Sequence, residues 1–179
     1  MLYRFQIELS DIDRGVYETL DFRLAQHPSE TMTYLLTRLF AYALSYHPNL
    51  TLSTVGLSDP DLPAMQVAGT NGAIDLWIEI GNPSAKKLHK AMKSAKGVTV
   101  FTYKNPQVLI DDIKNNNVHR AAEIKIVAVD SKFLQQLEAH VAKNNRWSIL
   151  HQQDQMDITA ETFSLSSFTK RFTVQEFLL

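Results

Sequence analysis

The sequence predicts a mixed α/β fold, with a central mixed β-sheet flanked by helices. Three observations carry that expectation. Tyr3, Phe5, Ile7 and Leu9 alternate with Arg4, Gln6 and Glu8, the period of a strand with one buried face. Residues 73–103 read strand, helix, strand, an order that implies a parallel crossover. Helical and strand patterns then keep alternating to the end of the chain. No linker, repeat or low-complexity segment interrupts them, so a single domain over residues 1–179 is expected.

The elements follow in order. The first strand meets a turn at Ser10-Asp-Ile-Asp-Arg-Gly15. Val16, Glu18, Leu20, Phe22 and Leu24 then return as a second strand, so the chain opens on a hairpin. His27-Pro28-Ser29-Glu30-Thr31 reads as a helix start, with Ser29 as the cap and Glu30 in the first turn, where the helix dipole favours an anion. Leu35, Leu36, Leu39, Phe40, Ala43 and Leu44 give that helix a wide apolar stripe. Arg38 sits inside the stripe and needs a partner or a solvated edge.

Residues 50–57 look like a strand and 58–61 like a turn. A short strand at 65–68 leads to Asn71-Gly72, the strongest short signal for a tight hairpin. Residues 73–81 return, with Leu76, Ile78 and Ile80 on one apolar face. Asn82-Pro83 is positioned to cap and open a helix whose buried side is Leu88, Ala91, Met92 and Ala95. Residues 98–103 are rich in β-branched side chains and read as an interior strand. A helix from Pro106, a strand over 124–129, a helix capped by Asp130 or Ser131, and strands near 146–151, 156–160 and 168–176 complete the pattern.

Composition removes several chemistries. Of 179 residues 45% are hydrophobic and 21% charged, an ordinary globular balance. The net charge of -1 leaves nucleic-acid binding to a local basic patch. With no cysteine there are no disulfides, thiol nucleophiles, iron–sulfur clusters or cysteine zinc sites. The six histidines show no helical ligand spacing, and there is no glycine-rich phosphate loop or Gly-x-Ser-x-Gly elbow. No apolar run is long enough to span a bilayer and no signal-peptide core is present, so a cytoplasmic protein with no membrane partner is expected.

What remains concentrates in one segment. Asp75, Trp77 and Glu79 share a strand face, and the following helix carries Lys86, Lys87, His89, Lys90, Lys93 and Lys96. Asp59 and Asp61 precede the strand that pairs with the acidic one. Taken singly, an acidic strand face or a lysine-rich helix face is what a solvated surface looks like. Together, carboxylates beside a basic helix suit Mg2+ or Mn2+ and a phosphodiester. Strand rise puts Asp75 and Glu79 roughly 13 Å apart, too far to share one ion. Asp61, across the hairpin, is the better partner for Glu79, but an odd pairing register would turn it to the other face. A bulge, a three-residue loop, or Asp61 lying just before the strand would remove that conflict.

Leu-Ala-Gln-His-Pro-Ser-Glu-Thr (24–31) and Ile-Asp-Leu-Trp-Ile-Glu-Ile-Gly-Asn-Pro (74–83) resemble signatures of the bacterial YaeQ family. Lys86-Lys87-Leu88-His89-Lys90-Ala91, Val100-Phe101-Thr102-Tyr103, Arg38-Leu39 and Gly56-Leu57 fit the same pattern, in order and spacing. The resemblance covers most of the chain. It implies a variation of the PD-(D/E)XK nuclease core over about residues 30–103, with an added N-terminal hairpin; it brings a fold rather than an established reaction. Carried over residue by residue, it implies Glu30 as the helix glutamate, Asp61 as the aspartate with Asp75 competing, and Glu79 as the second acidic ligand. The lysine expected two residues after Glu79 is replaced by Gly81, and Lys90 from the next helix is the chosen substitute. Asp61, Glu79 and Lys90 are therefore the candidate catalytic residues. Asp61, Glu79, Asp75 and Glu30 are the candidate ligands for Mg2+ or Mn2+, and Lys86, Lys87, Lys90 and Lys93 the candidate phosphate contacts on a nucleic acid. The alternatives are a degenerate nuclease fold that binds nucleic acid without cutting it, and a protein-interaction or regulatory module.

Overall fold

A computed structural model describes residues 1–53, 59 and 61–178. Gly56-Leu57, and the second half of the strand expected over 50–57, lie outside the described residues. The strands are β1 (Leu2–Asp11), β2 (Val16–Ala25), β3 (Leu50–Leu52), β4 (Met65–Ala68), β5 (Ile74–Ile80), β6 (Ala95–Thr102), β7 (Lys125–Val129), β8 (Asn144–Gln152), β9 (Gln155–Thr159) and β10 (Ser164–Thr173). The helices are α1 (Met32–Leu44), α2 (Ala85–Ser94), α3 (Pro106–Asn115) and α4 (Ser131–Glu138). This is the mixed α/β class that the patterning predicts.

Two compact units form. The first joins Met1–Tyr46 to Val129–Lys170, and the second joins His47–Ala128 to Arg171–Leu179. Residues 30–46 of the expected nuclease-like core belong to the first unit and 47–103 to the second.

In the first unit β1 pairs antiparallel with β2, as the opening alternation requires, and parallel with β8. β9 lies antiparallel to β8 and to β10. Phe5, Ile7 and Leu9 bury the inner face of β1. Leu35, Leu36, Leu39 and Phe40 of α1 are wholly buried, and Phe40 meets Phe133 of α4 with ring centroids 5.9 Å apart. Thr31, not Ser29, caps α1 by accepting from the Tyr34 amide at 3.1 Å. Glu30 therefore lies before the cap rather than in the first turn. The dipole explanation for it fails, and a buried ion pair replaces it: its carboxylate meets Arg38 at 3.2 Å. That contact also supplies the partner Arg38 required, together with the Ala25 carbonyl at 3.0 Å.

In the second unit β4 pairs antiparallel with β3 and β5, while β5, β6 and β7 run parallel. Each parallel step is bridged by a helix, as the strand–helix–strand order demands. Trp77, Leu88, Met92, Val98, Val100, Leu109, Ile110 and Ile126 form one buried cluster that seats α2 and α3 on the sheet. Pro106 opens α3 with Asn105 as its cap. The cap of α2 is Ser84, not Asn82; its hydroxyl accepts from the Lys87 amide. Asn82 instead accepts from Thr102 Oγ1 at 2.8 Å, tying the end of β5 to the end of β6. α2 ends at Ser94, so Lys96 belongs to β6 and not to the basic helix.

Candidate functional site on the second unit

β5 ends in Trp77-Ile78-Glu79-Ile80, and all four side chains are buried. Alternation sends Ile78 and Ile80 to one face and Trp77 and Glu79 to the other. The second face is not solvated, because α2 covers it through Leu88 and Met92. Glu79, 4% exposed, is thus a carboxylate in an apolar wall.

A buried carboxylate needs compensation. The Trp77 indole donates to Glu79 Oε1 at 2.7 Å, and Lys87 Nζ of α2 stands 3.0 Å from the same oxygen. Burial pushes the Glu79 carboxyl above the ordinary glutamate range, while the Lys87 charge and the two hydrogen bonds pull it back.

Asp61 lies in a turn before β4, whose first residue is Met65. Its amide donates to Asp59 Oδ1 at 2.8 Å. Because Asp61 precedes the strand, the register between β4 and β5 does not dictate its direction. Its carboxylate reaches α2, where Lys90 Nζ is 2.8 Å from Oδ1. Lys90 first, then the charges of Lys86 and Lys87, hold the Asp61 carboxyl below its usual range. Lys87 and Lys90 are three residues apart and adjacent on the helix surface. The helix therefore gathers Glu79 and Asp61 onto neighbouring lysines.

Asp75 does not join them. It sits near the turn end of β5 and pairs with Lys96 of β6 at 2.6 Å. That contact lacks hydrogen-bond alignment, which leaves Asp75 Oδ1 without a hydrogen bond. Asp61, Asp75 and Glu79 do not converge into a group of three carboxylates with oxygens within 4.8 Å. Glu30 belongs to the first unit, where Arg38 occupies it. Lys86 and Lys93 are exposed on α2.

Gly81 follows β5 in the left-handed region, at φ +81°. A Cβ there would meet nothing within 4 Å, so space is not what selects glycine; backbone conformation is. The position two residues after Glu79 is unsuited to a lysine, and Lys87 is the ammonium that reaches the acid. Lys90, chosen from the sequence for that place, holds Asp61 instead. α2 starts at Ala85, which puts Lys87 in its first turn, near the end of β5 that carries Glu79.

Sequence reasoning missed a second cluster, Asp11, Asp13 and His151 in the first unit. His151 lies about 140 residues from the two aspartates in the chain, and the parallel β1–β8 pairing brings them together. Among the described residues no helix is long and apolar enough to cross a membrane.

Comparison with known proteins gives a consistent set of matches. The family model described as "YaeQ protein" matches residues 1–167. A relative from Escherichia coli (strain K12), named "Uncharacterized protein YaeQ", is 35% identical over 102 residues, 57% of this chain and 56% of that protein. The protein of the same name from Salmonella typhi is 34% identical over the same length. The matched part spans little more than half the length of these relatives. The crystal structure of a YaeQ protein from Xanthomonas axonopodis pv. citri is similar with a TM-score of 0.87 and 28% identity, covering 96% of this chain and 97% of that one. A YaeQ crystal structure from Pseudomonas syringae gives 0.85 and 28%, covering 96% and 95%.

Proposed function

The chain belongs to the YaeQ family, and from that premise and the Glu79–Lys87 contact we propose that the second unit is a divalent-metal-dependent phosphodiesterase acting on nucleic acid. The observation that carries this reading is a buried carboxylate in contact with a lysine, beside a second carboxylate on the same helix surface. Mg2+ keeps several waters and is commonly held by one or two carboxylates, so Glu79, alone or with Asp61, would hold the ion together with water and a substrate phosphate. When bound, the ion supplies Lewis acidity and an activated water. Lys87 is the cation at hand to neutralise charge on a phosphate placed at Glu79. Lys86, Lys90 and Lys93 contact neighbouring phosphates without reading sequence.

The test is cleavage of single- and double-stranded DNA and RNA with Mn2+ or Mg2+, comparing wild type with Glu79→Ala and Lys87→Ala. Metal-dependent cutting that falls by about 100-fold or more in both variants supports the reading. No cutting with either ion sinks it.

A second reading is a fold that binds nucleic acid without cutting. Its support is that Asp61 and Asp75 are each taken up by an exposed lysine, and that the three acids do not form one cluster. Binding without cleavage, weakening steeply with salt and losing about one unit of salt slope per lysine removed, selects it.

A further inference from the structure

β1 and β8 run parallel, with Asp11 at the end of β1 opposite His151 near the end of β8. Asp13 lies two residues further on, in the turn that leads to β2. His151 Nδ1 stands 3.1 Å from Asp11 Oδ1 and 3.7 Å from Asp13 Oδ2. The Gln153 amide donates to Asp13 Oδ1 at 3.0 Å and fixes that carboxylate. One ligand atom from each of the three residues lies within 4.8 Å of the others.

Asp11 and His151 are completely buried, while Asp13 keeps a path to solvent. Asp11 Oδ2 is buried and accepts no hydrogen bond. The nearest cation, Arg14 Nη1, is 3.6 Å away and already donates to the Leu44 carbonyl at 3.0 Å. A wholly buried carboxylate with an unfilled oxygen costs free energy, so the arrangement is incomplete until an ion takes both Asp11 oxygens, Oδ1 beside His151 and Oδ2.

The separations suggest what completes it. Four ligands at about 2.0–2.1 Å around zinc place neighbouring donor atoms about 3.3 Å apart. The distances of 3.1 and 3.7 Å bracket that value. Imidazole with two carboxylates is a donor set for zinc or another divalent first-row ion, with a water in the fourth place.

We propose that Asp11, Asp13 and His151 form a binding site for a divalent transition metal ion, best suited to zinc, which fastens the ends of β1 and β8 together. The alternative occupant of the same space is a proton on His151 Nδ1, shared with the two carboxylates.

Zinc titration of chelator-treated full-length protein separates them. It is run in a Glu79→Gln background, so that an ion held beside Lys87 is not counted. The expected result is one zinc per chain by elemental analysis after gel filtration, with a rise in Tm that EDTA reverses. Asp13→Asn changes an exposed turn residue and keeps the fold. It is expected to weaken zinc binding by more than about tenfold and to abolish the Tm rise. His151→Ala is expected to abolish binding; if it fails to fold, Asp13→Asn decides alone. No retained zinc, or zinc bound equally well by Asp13→Asn, overturns the proposal and leaves the shared proton.

Discussion

Glu79 and Lys87 meet at 3.0 Å with the acid almost wholly buried and the lysine about one-fifth exposed. Coulomb attraction at such a place is far stronger than on an open surface, but so is the cost of leaving either charge alone. Lys87→Ala is expected to destabilise the fold by about 1–3 kcal/mol, below the full buried-pair value because solvent reaches the lysine. Adding Glu79→Gln to that variant should recover part of the loss. Urea melts of the two single variants and the double variant check this; additive effects would refute the coupling.

The raised Glu79 carboxyl gives the same pair a pH signature. Folding favours the protonated acid relative to the unfolded chain. Its contribution is therefore fully present below the unfolded value, near the ordinary 4.5, and is lost as pH rises through the higher folded value. The stability of wild type relative to Glu79→Gln should fall as pH rises across that window. A flat or rising difference between about pH 4 and pH 8 would contradict the burial argument.

Gly81→Lys places a lysine where the nuclease pattern would have it. The left-handed backbone there makes the change cost about 1–2 kcal/mol despite the open space. Any cleavage activity should not increase. Thermal melting and the cleavage assay are run side by side; a more active and equally stable variant would refute the assignment of the role to Lys87.

Arg38→Ala leaves Glu30 buried without its counter-charge, and its cost should reach about 3–5 kcal/mol. Glu30→Gln should lower stability while leaving metal-dependent cutting in the surviving folded fraction unchanged. Loss of cutting with full stability would return Glu30 to the metal-ligand set.

Most strands were legible because alternation is a local signal. Tyr3 to Leu9 read correctly, and so did the parallel β5–α2–β6 unit. Helix starts were less legible. Ser29 and Asn82 are good caps by type, yet Thr31 and Ser84 are the residues used, accepting from the Tyr34 and Lys87 amides. That two-residue shift leaves Glu30 ahead of α1 and puts Lys87 in the first turn of α2. The acidic segment itself was visible, but its burial was not. Period-two patterning treats the Trp77–Glu79 face as polar, and only α2 packed on Trp77 shows that it is interior. The Asp11–His151 contact left no local trace, since a parallel pairing across the length of the chain has no short-range signature.

That parallel pairing has a consequence for how the chain is made. β8, which closes the open side of β1, is made about 140 residues after it. At about 5–20 residues per second the interval is roughly 7–28 s. Throughout it the hairpin carries a bare strand edge flanked by Phe5, Ile7 and Leu9, the kind of surface that pairs with whatever strand comes near. Most of the second unit, residues 47–128, is translated in that interval and has its own sheet and helices to close.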